Sequence, residues 1–66
     1  MSDIVLQKWL INEIKNSEHA VSKTVVVKKC LQKLAVPEHK VWDAIRILVS
    51  YNMVIQNKDL ELEYYE

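Results

Sequence analysis

PEHKVWDAIRILVSY, residues 37–51, is the stretch that decides the fold. It begins with a proline, which the first position of a helix tolerates because the missing N–H has no partner there. The apolar residues behind it recur at i, i+3, i+4 and i+7: Val41, Ala44, Ile45 and Leu48. This spacing predicts a helix with one buried face. The opposite face carries His39, Asp43 and Arg46, with Trp42 between the two faces.

Two further helices are predicted before this segment. Ser2 or Asp3 caps the first helix, which runs to about residue 16. Its core positions share one face: Leu6, Leu10, Ile11 and Ile14. The second helix is capped by Ser22 or Thr24, although the valines at 25–27 favour a strand. We expect a helix because the continuation KKCLQKL keeps a period near 3.6 residues. Its core positions are Val27, Cys30, Leu31 and Leu34.

The C-terminal part of the chain has the pattern of a β-hairpin. Asn52 can end the third helix in the left-handed conformation that glycine usually supplies. One strand is predicted at 53–56, a turn at 57–59 and a second strand after the turn. In the second strand, inward positions alternate with outward ones: Leu60, Leu62 and Tyr64 against Glu61, Glu63 and Tyr65. A very short strand is also predicted within 19–22, with Val21 pointing inward.

Helix, short strand, helix, turn, helix and hairpin is the order of elements in a small winged helix. The predicted fold class is therefore α+β, with three helices and a C-terminal β-hairpin as the wing. We expect residues 1–66 to form a single domain, because no linker, repeat or low-complexity segment interrupts the pattern. The segment at 37–51 would then be the recognition helix.

This third helix resembles that of the Z-DNA- and Z-RNA-binding winged helices. Their segment T-P-K-K-E-I-N-R-V-L-Y-S-L aligns without gaps on residues 36–48, and the apolar positions agree. The functional positions differ: that family's asparagine falls on Trp42, its tyrosine on Arg46 and a phosphate-binding lysine on Glu38. The proline pair and tryptophan of its wing are absent from residues 60–65. The resemblance implies the fold and argues against recognition of a left-handed duplex. The chain also resembles small winged helices at the ends of replication and ubiquitin-ligase subunits, which bind proteins.

The charges balance overall but are unevenly distributed. Nine basic and nine acidic residues give a formal net charge of zero. Residues 18–51 hold six basic groups against three acidic ones, whereas residues 52–66 hold one against four. A basic middle favours contact with phosphate, and an acidic wing opposes it. A chain with zero net charge also lacks the strong positive electrostatic field by which non-specific nucleic-acid-binding proteins attract phosphates.

Catalysis has little support in the sequence. Two histidines, one cysteine and no glycine leave no phosphate-binding loop and no nucleophile with an evident base. We therefore expect no enzymatic activity, no cofactor and no metal site. Cys30 is alone, and no signal-peptide pattern or apolar run of ~18 residues is present. These features favour an intracellular protein, cytoplasmic or nuclear, with no membrane partner.

Double-stranded DNA is the partner that the third helix favours. A helix fits the major groove, and the first turns of this one present side chains that can reach base edges. Arg46 can read guanine or hold a phosphate, and Asp43 can accept from cytosine N4 or pair with Arg46. The lysines can contact phosphates or be ordinary solvated surface. The predicted nucleic-acid-binding residues are Lys28, Lys29, Lys33, His39, Lys40, Trp42, Asp43 and Arg46. The expected role is transcription regulation, with homodimerisation as a further expectation.

Protein binding is the alternative function. Trp42 widens the apolar surface of the third helix, and tryptophan, tyrosine and arginine anchor many interfaces. Packing of Trp42 against the first helix or the wing is an equally good interpretation. Tyr64 and Tyr65, at the end of a hairpin with an unpaired edge, could extend another sheet or form a symmetric dimer. The predicted protein-binding residues are Trp42, Tyr64 and Tyr65.

Overall fold

The computed structural model describes residues 3–64, which form three helices and a three-stranded antiparallel sheet. The helices are α1 (Asp3–Lys15), α2 (Lys23–Lys33) and α3 (Glu38–Ser50). The strands are β1 (Val21–Ser22), β2 (Val54–Gln56) and β3 (Glu61–Tyr64). The predicted fold class, α+β with three helices and a C-terminal hairpin wing, is confirmed. Ser2 and Tyr65 lie outside the described residues.

One apolar row from each helix meets in a common core. All four predicted residues of α3 are buried: Val41, Ala44, Ile45 and Leu48. The rows of the other two helices are Leu6, Leu10 and Ile14 from α1, and Val26, Val27 and Cys30 from α2. Val26 was not predicted to be a core residue, whereas the predicted Ile11, Leu31 and Leu34 are partly buried at the margin. Val54 and Leu62 close the core from the sheet.

The ends of α3 lie close to where the sequence predicts them. Pro37 is the N-cap, with φ −65° and ψ 145°, so the first helical residue is Glu38 rather than the proline. Proline fits this position too, because no N–H is needed before the first helical turn. Asn52 has φ 60°, and its N–H donates to the carbonyl of Val49 over 3.1 Å. This left-handed residue, as predicted, turns the chain from α3 into β2.

Strand β3 lies in the centre of the sheet, between β1 and β2. Its Leu62 is opposite Val21 of β1 and is fully buried, while Glu63 is exposed. Tyr64 is half-buried and packs against the core. The predicted alternation therefore holds from Leu62 to Tyr64, and it fixes the wing, the β2–β3 hairpin, against the helices.

Leu60 does not point inward, which corrects the prediction for the start of this strand. It has φ 63° and is 61% exposed at the hairpin tip. The N–H of Leu60 donates to the carbonyl of Asn57, and the N–H of Asn57 donates to the carbonyl of Glu61. The Asn57 side chain also accepts from the N–H groups of Asp59 and Glu61, each over 2.9 Å. Leu60 is thus an extra residue that bulges out of the ladder.

Candidate nucleic-acid interface

The face of α3 opposite the core is exposed to solvent. Side chains three or four residues apart share one face of a helix, so His39, Asp43 and Arg46 form a row there. All three are exposed, as predicted. Trp42 lies beside this row and is 38% exposed, so most of its surface is covered by the protein. The row and Trp42 together are called the α3 face below.

Two residues of the α3 face form an ion pair. The guanidinium Nη2 of Arg46 donates to Oδ1 of Asp43 over 3.3 Å, one helical turn away. The side chains are 79% and 57% exposed, respectively. Exposed pairs of this kind stabilise a protein by at most about 1 kcal/mol. The pair can therefore open, or accept a third group, at little cost to the fold.

A groove of about 270 Å³ lies on one side of the α3 face. Trp42, Arg46 and Val49 line it from α3, and Lys23 and Gln56 line it from the start of α2 and from β2. Trp42 therefore lines a groove that Gln56 of the wing also lines, and both its packing against α1 and its role in protein binding stay predictions. Lys23 and Gln56 were not predicted, because no sequence pattern connects them with Trp42.

A smaller groove of about 160 Å³ lies on the other side of the α3 face. Lys40, Asp43 and Arg46 line it from α3, and Asp3 and Gln7 line it from α1. Both basic and acidic side chains line this groove. Arg46 lines both grooves, which makes it the central cation of the α3 face.

One of the predicted lysines of α2 points towards α1 rather than towards the α3 face. Lys28, Lys29 and Lys33 are all exposed. Lys29 Nζ lies 3.8 Å from Oε1 of Glu13, so this side chain points towards α1. Lys33 is four residues further along and shares that side of the helix. The structure thus brings Lys40 together with the α3 face and directs Lys29 towards α1.

Tyr64 belongs to the body of the protein in this structure. The Nζ of Lys15 lies 5.4 Å from the centre of its ring, a cation–π geometry. Both residues line a surface cavity of about 370 Å³ with His19 and Glu63. Tyr65, the other tyrosine predicted to bind protein, lies outside the described residues.

Comparison with family models, curated proteins and solved structures finds no match to this chain. Within residues 3–64, no helix is long and apolar enough to cross a membrane. The same residues contain no cluster of three histidine, cysteine, aspartate or glutamate side chains that could hold a metal ion. What the α3 face binds is therefore inferred from its own shape and charge.

Proposed function

We propose that this protein binds double-stranded DNA through the α3 face, as a small winged-helix regulator of transcription. The observation that supports it is the exposed row of His39, Asp43 and Arg46 on a helix anchored by its other side. A helix can enter the major groove, which is about 12 Å wide. Because the row is already exposed and its helix is held by the core, binding requires no rearrangement of the fold.

Positive groups flank the row and can contact the DNA backbone. Lys40 and Lys23 line the grooves on its two sides, and Arg46 lies between them. Phosphate contacts from the two lysines, or from three groups where Arg46 also holds a phosphate, give a slope of about −2 to −3 in a plot of log affinity against log salt. Such a slope is small for a DNA-binding protein and agrees with a formal net charge of zero. Binding should therefore depend on contacts of the α3 face as well as on charge.

The wing is the part of the protein that opposes DNA. Strand β3 carries Glu61 and Glu63, and Glu63 is exposed. A carboxylate ~4 Å from a phosphate is unfavourable by about 1 kcal/mol even in water. We therefore propose a docking mode in which α3 enters the groove and β3 stays away from the backbone.

Fluorescence anisotropy of a labelled duplex tests the proposal. We expect saturable binding at about 50 mM salt that weakens at higher salt. Arg46→Ala should lower the affinity, whereas the matched control Lys29→Ala, on the α1 side of α2, should leave it nearly unchanged. Absence of binding at tens of micromolar protein in about 50 mM salt would rule the proposal out. Molecular mass in solution, with and without the duplex, would show whether the protein binds as a homodimer.

The groove beside Trp42 supports a second candidate, docking of a protein partner. Its lining includes the apolar side chains of Trp42, Ile45 and Val49. Tryptophan in a partly desolvated groove is a common anchor of protein interfaces. Protein docking is favoured over DNA binding if no duplex binds to the protein. In that case, a purified partner should bind the wild-type protein but not a folded Trp42→Ala variant. An unchanged affinity of Trp42→Ala for that partner would eliminate it.

A further inference from the structure

We infer that Asp43 and Arg46 act as one unit that reads a single G·C base pair in the major groove. This inference rests on the proposed DNA binding and adds the identity of the base pair. The two side chains already form a hydrogen bond of 3.3 Å on the α3 face, and both are mostly exposed. Because they lie one helical turn apart and contact each other, they can meet one base pair together.

Both partners keep hydrogen-bonding capacity for DNA. A guanidinium has five N–H donors, and the bond to Asp43 uses one N–H on Nη2. A carboxylate has two acceptor oxygens, and Arg46 contacts Oδ1. Two further donors of Arg46 and Oδ2 of Asp43 are enough to contact three atoms of a base pair. The unit therefore offers two donors followed by an acceptor.

The major-groove edge of a G·C pair has the complementary pattern. Guanine offers two acceptors, N7 and O6, and cytosine offers the N4 amino group as a donor. An A·T pair instead offers an acceptor, a donor and an acceptor, followed by a methyl group. Its adenine amino group would face the donors of Arg46, and thymine O4 would face the carboxylate of Asp43. Two repulsive contacts thus oppose A·T, in addition to the contacts that favour G·C.

Removal of Asp43 should raise the affinity for every duplex but lower the preference for G·C over A·T. Its negative charge repels the phosphate backbone of any duplex, so its removal should strengthen binding to all sequences. Its removal also takes away the acceptor for cytosine and the carboxylate that orients Arg46. A residue that only stabilised the fold would not produce this combination.

The experiment uses the full chain and three labelled duplexes of equal length, compared by anisotropy at one salt concentration. The first has a G·C core, the second an A·T core, and the third carries 7-deazaguanine, which lacks the N7 acceptor. We expect the wild-type protein to prefer the G·C duplex about tenfold over the A·T duplex. The 7-deazaguanine duplex should lose a large part of that preference.

The variants Arg46→Ala and Asp43→Ala complete the test, with circular dichroism to show that both are folded. Arg46→Ala should bind both cores weakly and equally, and Asp43→Ala should bind both more tightly with a smaller preference. Equal wild-type binding to both cores, a preference for A·T, a G·C preference that persists in Arg46→Ala, or one that is undiminished in Asp43→Ala would overturn the inference while DNA binding stands. Binding to none of the duplexes would instead refute the proposed function, and the inference with it.

Discussion

The ammonium of Lys29 lies 3.8 Å from the carboxylate of Glu13 and connects α2 with α1. The side chains are 55% and 35% exposed, so the pair adds at most about 1 kcal/mol to stability. The pair matters because it determines where a basic side chain points: Lys29 is directed towards α1. Lys40 and Arg46 lie instead on or beside the α3 face. Lysines that look alike in the sequence should therefore contribute unequally to DNA binding.

Lys40→Ala and Lys29→Ala form a matched pair that tests this division. Loss of Lys40 should weaken DNA binding several-fold and reduce the salt slope by about 1, as for one lost phosphate contact. Loss of Lys29 should leave the slope unchanged. The measurement is duplex affinity by anisotropy at four or more salt concentrations. Equal changes in slope for the two variants would show that the α1 side also contacts the duplex.

Leu60→Gly should stabilise the protein by about 1 kcal/mol. The left-handed conformation at φ 63° costs a residue with a Cβ roughly 1–2 kcal/mol, while glycine adopts it freely but makes the unfolded chain more flexible. Urea unfolding followed by circular dichroism would measure the change in unfolding free energy. As the opposite control, Asn57→Ala should destabilise the protein, because its side chain accepts two backbone N–H groups at the tip. A loss of stability in Leu60→Gly would mean that the leucine makes a stabilising contact.

Leu62→Ala should lower the free energy of unfolding by about 2–5 kcal/mol. Leu62 is fully buried where β3 meets the helices, so its truncation leaves a cavity. Ile55→Ala is the matched control on β2, where the side chain is 41% exposed, and it should cost less than about 1 kcal/mol. Denaturant unfolding of both variants gives the comparison, and loss of the fold in Leu62→Ala counts as the expected large effect. Similar small losses of unfolding free energy in both variants would show that the wing contributes little to the cooperative unfolding of the core.

Stability should fall at high pH because of Cys30. Burial raises the pKa of its thiol above the ordinary value of 9.0. Between the unfolded and folded pKa values, the folded state binds more protons, so the free energy of unfolding decreases as pH rises. This contribution is complete below about pH 9 and is lost as the pH rises towards the folded pKa.

Urea unfolding of the wild-type protein and of Cys30→Ala, at neutral pH and near pH 10, checks this expectation. The wild-type protein should lose more stability than the variant over that interval. Equal losses would show that the thiol does not contribute to the pH dependence.

The helices and most of the core were predictable because the helical period of the apolar residues indicates which side of each helix is buried. Val41 and Leu48 are examples, and both are fully buried. The direction of Leu60 was not predictable from strand alternation. It depends on a bulge that the Asn57 side chain stabilises, and leucine seldom adopts a left-handed conformation. The groove beside Trp42 was also missed, since it joins parts of the chain that are distant in sequence.

Chemical-shift mapping tests the central claim most directly. The ¹⁵N-labelled protein is titrated with an unlabelled duplex containing G·C pairs, and the backbone amide shifts are followed residue by residue. The proposal predicts that the largest changes occur at His39, Asp43 and Arg46, with little change at Glu13 and Lys29. An absence of changes, or changes concentrated at the α1–α2 junction or on β3, would contradict it.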